Sequence, residues 1–77
     1  MSVEAKKVFY NRVRRTCLKH GIDIVYHGMP KAVMAIELIK NGDVVCSDRT
    51  ETNRPLDIPW KAFHQELSEL GYTGGVK

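Results

Sequence analysis

Missing from this 77-residue chain is any long apolar run: the longest, Ala32–Ile36, has five residues, far short of the ~20 that cross a bilayer as a helix. No membrane association is expected. No apolar stretch follows the early charges either, so no secretory leader is read and the expected compartment is the cytoplasm. Cysteine is scarce. Cys17 and Cys46 have 28 residues between them and lie outside any CxxC pair, so two reduced, buried thiols are expected. His20, His27 and His64 are scattered, which announces no metal site. A glycine-rich phosphate loop, an HExxH pair and a nucleophile-elbow pentapeptide are all lacking, so neither a cofactor nor catalysis is expected.

Acids are also nearly absent from the first twenty residues. Glu4 stands alone there against Lys6, Lys7, Arg12, Arg14, Arg15 and Lys19, a formal +5, whereas residues 21–77 carry six cations and eight acids, a formal −2. Such asymmetry speaks to what the surface attracts rather than to the fold. The composition, with 43% hydrophobic and 27% charged residues, is that of a globular chain. At this length one domain is expected, compact over residues 1–72, with a flexible tail at 73–77.

Periodicity supplies the elements. Phe9, Val13 and Cys17 recur every four residues, predicting a helix over 3–19 with Ser2 at its N-cap and Gly21 beyond its end. Ile22–Tyr26 alternates and is rich in β-branched residues, as a strand would be, and His27–Lys31 reads as a turn. Residues 33–39 and 44–46 flank Asn41-Gly42, the pattern of a hairpin with Ile36, Leu38 and Val45 on one face. Pro30 and the good helix formers of 31–40 leave a helix as the other reading of that segment. Asp48–Asp57 reads as a long polar loop. Trp60, Phe63, Leu67 and Leu70 predict a final helix with Pro59 in its first turn, Asp57 or Ile58 at its N-cap and Gly71 past its end. The expected fold is α+β, in the order α-β-β-β-α: a three-stranded antiparallel sheet with both helices packed on one face.

This order resembles, in outline, that of the double-stranded-RNA-binding domains. That family presents a histidine near Gly-Pro in its first strand loop, and this chain has His27-Gly28-Met29-Pro30. The family's final helix opens with a lysine cluster. Here Ile58-Pro59-Trp60-Lys61-Ala62 offers Lys61 alone, and the long loop lies elsewhere in the chain, so no binding residue is carried across from the resemblance.

Two partner classes follow. As a small regulatory or inhibitory protein, the chain would bind another protein through a sheet face, an edge strand or a loop surface at Arg49, Glu51 and Arg54. As a DNA- or RNA-binding protein, it would neutralise phosphates with Lys7, Arg12, Arg14, Arg15 and Lys19. Protein binding is favoured, because no recognition motif accompanies the charge. Trp60 is read as core rather than as an interface anchor, while Tyr10, Tyr26 and Tyr72 are left for amphipathic contacts and His64 is placed at the edge of the core. A thin core beneath an uncovered sheet face also favours a homodimer.

Overall fold

A computed structural model describes residues 3–29, 33–50 and 54–74. Helix α1 spans Val3–His20, followed by strands β1 (Asp23–Met29), β2 (Val33–Lys40) and β3 (Asp43–Thr50), a 3-10 turn at Pro55–Asp57, and helix α2 (Trp60–Glu69). The strands lie in the order β1-β2-β3 and both pairings are antiparallel. Both helices cover the same face of the sheet, which agrees with the expected α+β architecture.

The segment open to two readings is strand. Asn41 (φ 54°) and Gly42 (φ 84°) both adopt left-handed backbone, the geometry of a type I′ turn whose twist matches that of the strands it joins. In that register Ile36 and Leu38 point toward the helices, exposed by only 1% and 0%. A shift between Leu38 and Ile39 then changes the expected third member of the row. Leu38 faces Cys46 and Ile39 faces Val44, so Val45 is the extra residue of a β-bulge; Cys46 takes the fully buried position opposite Leu38, and Val45 packs half-buried against the core.

Two boundaries differ from expectation. His27, Gly28 and Met29 continue β1, paired with Ala35, Met34 and Val33, so the expected turn at His27 is strand. Likewise Asp48 and Arg49 belong to β3, paired with Ile36 and Ala35. Cross-strand pairing supplies partners for backbone groups that local composition assigned to loops. The expected N-cap Ser2 lies outside the described residues.

The core joins Val13 and Cys17 of α1, Ile36, Leu38 and Cys46 of the sheet, and Ile58, Trp60, Phe63 and Leu67 around α2, with Ile22 beneath. Trp60 is 1% exposed, with the Tyr10 and Phe63 rings 4.8 and 5.9 Å away, so it is core as expected. Tyr10 is half-buried against it rather than left to solvent. Leu70 departs from its predicted ridge and is largely exposed, because α2 stops one residue short of it. Gly71 (φ 93°) reverses the chain there, its N–H donating to Ser68 O while Tyr72 N–H donates to Leu67 O. This paired Schellman arrangement satisfies the helix's last carbonyls and brings Tyr72, not Leu70, onto the core. At the other end, Pro59 itself occupies the N-cap position of α2, where it offers no side-chain hydrogen bond.

Two substitutions test this frame by urea denaturation. Gly42→Ala meets no atom within 4 Å, so its cost is backbone strain alone, about 1–2 kcal/mol for forcing a side chain into left-handed backbone. Leu38→Ala leaves a void in the centre of the sheet and is expected to cost about 2–5 kcal/mol.

Candidate functional site

Helix α1 buries Val13, Thr16 and Cys17, which turns the opposite side to water. Lys7, Arg12, Arg14, Arg15 and Lys19 all lie on that side and are exposed. Among the described residues none of the five is ion-paired. The neighbouring Lys6 differs: its Nζ donates to Asp57 Oδ1 at 2.7 Å, tying α1 to the 3-10 turn. The two flanks of the face are held by aromatic rings. Arg12 Cζ lies 5.5 Å from the centroid of Phe9, and Arg14 Cζ lies 5.5 Å from that of Tyr10. Between the cations two apolar side chains face solvent, Leu18 at 78% exposure and Val8 at 47%. In a helix, Leu18 neighbours Arg14 and Arg15, one turn earlier, and Val8 neighbours Arg12, one turn later.

The other sequence-selected residues fall elsewhere. Arg49 projects from the sheet face opposite the helices, in the row His27–Ala35–Arg49. Arg54 is exposed just before the 3-10 turn, and Glu51 lies outside the described residues. Arg49 and the α1 cations therefore stand on opposite sides of the sheet and form no common site. On Arg49's side His27 Nε2 lies 2.8 Å from Glu37 Oε1, a diagonal cross-strand pair bordering a shallow depression of about 410 Å³. That pair was invisible without the register, which alone brings residues ten apart onto one face. It also takes His27 out of the loop position that the outline resemblance gave it.

Chemistry at the thiols is suppressed. Burial first, and then the charge of Asp23, pushes Cys17 up to about 11. Burial, together with a hydrogen bond to Glu66 and its charge, pushes Cys46 up to about 12. Both are free thiols, kept protonated and poorly nucleophilic at neutral pH. Among the described residues no group of three or more His, Cys, Asp or Glu is placed to hold a metal, and no helix is long and apolar enough to cross a membrane.

Sequence reasoning missed the groove between α1 and α2. A cavity of about 330 Å³ is lined by Arg12, Arg15, Thr16, His64 and Gly74. Thr16 is buried on its floor, its hydroxyl donating to Arg12 O at 2.9 Å. Thr73 holds the chain after α2 against α1, its backbone N and O lying 3.1 and 2.9 Å from His20 Nε2, which accepts from one or donates to the other according to its tautomer. His64 packs on Phe9, ring centroids 5.9 Å apart, and its buried Nδ1 has no hydrogen-bond partner among the described residues. The only sequence signal was its place beside Phe63, on the flank of the buried ridge.

Burial first, and the Arg12 guanidinium second, hold His64 below the ordinary imidazole value. A depressed histidine binds its proton more weakly folded than unfolded, so stability present above ~6.5 falls as the pH drops through that value toward the folded pKa. Urea midpoints measured down that range should decline less steeply in His64→Gln than in the parent chain.

No family model matches this chain, and neither a curated protein nor a solved structure shows significant similarity to it.

Proposed function

We propose that this protein is a small, non-enzymatic regulatory or inhibitory domain that binds an acidic protein surface through the exposed side of α1. One observation carries the reading: Leu18, at 78% exposure, stands with Val8 among cations that are not ion-paired among the described residues. Phosphates would draw on the charge but have no use for a leucine. A protein partner uses both, with an apolar pocket for the central side chain and carboxylates around it to steer the approach. The rings beneath Arg12 and Arg14 limit the freedom those side chains lose on docking.

The same five cations favour a second reading, in which duplex nucleic acid lies along α1. Five phosphate contacts would give a salt slope of about −4.5 for duplex DNA.

A single series of measurements separates the two. Tagged protein is used to capture partners from native host lysate, with and without nuclease. The captured species should be an acidic protein, resistant to nuclease, and Leu18→Asp should weaken its binding about tenfold or more in titration with the purified partner. Arg14→Ala with Arg15→Ala should slow association and flatten its salt dependence. Retention of the partner by the Leu18→Asp chain would sink the protein-docking reading. Loss of the captured material on nuclease treatment would replace it with the nucleic-acid reading.

A further inference from the structure

We infer that the groove between α1 and α2 is a binding site for a phosphate monoester, gripped by Arg12 and Arg15 with His64 at its wall. The inference deepens the docking proposal by naming the chemical group that one flank of α1 takes, and it rests on that reading.

Charge comes first. The described lining of the groove contains two guanidiniums and an imidazole but no carboxylate. Arg12 and Arg15 lie three residues apart in α1, so their side chains leave the helix as neighbours on one flank. Arginine keeps its charge at any working pH, so the groove carries two fixed positive charges without an internal counter-ion. Like charges so spaced on an exposed helix flank repel mildly, and a bound anion offsets that repulsion.

Geometry narrows the class. One guanidinium already satisfies both oxygens of a carboxylate through two parallel N–H bonds. A second guanidinium remains, which matches the further oxygens and the near-double charge of a phosphate monoester, and the His64 ring stands at the wall as a neutral hydrogen-bonding group. A cation–π contact favours this placement of Arg12, its guanidinium lying 5.5 Å from the centroid of Phe9, which in turn packs on His64. The Arg12 backbone carbonyl is engaged by Thr16, so the turn that carries both arginines is fixed from below.

The remaining walls complete the site. A side chain at Gly74 would come within 3.2 Å of Thr16 Oγ1, so at this position the chain following α2 lies close against α1. The His64 Nδ1 described above is a buried polar atom with no partner among the described residues, an arrangement that costs stability when nothing relieves it. At about 330 Å³ the groove exceeds a bare phosphate and has room for the group that bears it.

The experiment is an NMR titration of the full chain with inorganic phosphate against chloride at matched ionic strength. Saturable shifts are expected at the backbone amides of Arg12, Arg15, Thr16 and Gly74 and at the ring of His64. Arg12→Ala and Arg15→Ala should each weaken binding about tenfold or more, the loss of one charge-assisted pair. Arg12→Lys keeps the charge and the fold, yet should still bind several-fold more weakly because the fork is gone. Arg14→Ala, on the other flank, should stay within twofold of the parent. Two further arms locate the phosphate: a phosphoserine peptide binding more tightly than a mononucleotide supports a protein partner, and the reverse order supports a small nucleotide ligand. Non-saturating shifts spread equally over Lys7, Arg14 and Lys19 would overturn the site as diffuse screening. Phosphate binding by a chain whose Leu18→Asp variant keeps its protein partner would sink the docking reading and leave the groove standing.

Discussion

Everything in this molecule follows from a core built on one side only of a three-stranded sheet. Ile36, Leu38 and Cys46 meet the α1 stripe of Val13 and Cys17 and the α2 ridge of Trp60, Phe63 and Leu67. Fully burying a side chain such as Leu38 or Leu67 is worth about 1.5–3 kcal/mol. So few large side chains do this that each helix has a single allowed rotation about its axis. Turning α1 to bury its cations would expose Val13 and Cys17 and strand charges in an apolar layer. The outward display of Lys7, Arg14 and Arg15 is thus a consequence of packing before it is a feature of recognition.

Much of this was legible because apolar spacing and turn chemistry agreed. The four-residue recurrence of Phe9, Val13 and Cys17 located α1, and Asn41-Gly42 located the β2–β3 turn against the helix-forming tendency of Lys31–Lys40. Leu70 shows where spacing fails. It continues the ridge numerically, but the reversal at Gly71 ends α2 before Leu70 can reach the core, and Tyr72 takes its place. Val45 shows a different limit: it packs on the core only half-buried, because a bulge that leaves no trace in the local pattern gives the fully buried place to Cys46. Thr16 was overlooked because a hydroxyl looks polar in sequence. In α1 it bonds to Arg12 O and so enters the core satisfied.

The candidate site was half visible. The cations of α1 could be counted in the sequence, and among the described residues Lys7, Arg12, Arg14, Arg15 and Lys19 are not ion-paired. What the sequence could not show is that they divide between two flanks. Arg14 lies over Tyr10 beside β1, and Arg12 lies over Phe9 beside α2. Only tertiary packing brings His64, 52 positions away, next to Arg12, and sets the pair against Gly74. The Lys6–Asp57 pair is likewise tertiary, and it removes one cation from a face that composition alone would have credited with six.

The bulge at Val45 has a bearing on how the protein behaves in concentrated solution. Among the described residues β3 has a strand neighbour, β2, on one side only, which makes it an edge strand of the sheet. An inserted residue breaks the even spacing that an incoming chain would need to match, and Asp43 and Asp48 set negative charge along the same border. Extension of the sheet into a fibre is therefore discouraged at β3 by geometry and by repulsion together. β1, whose described pairing runs without interruption, is the border that is left less guarded.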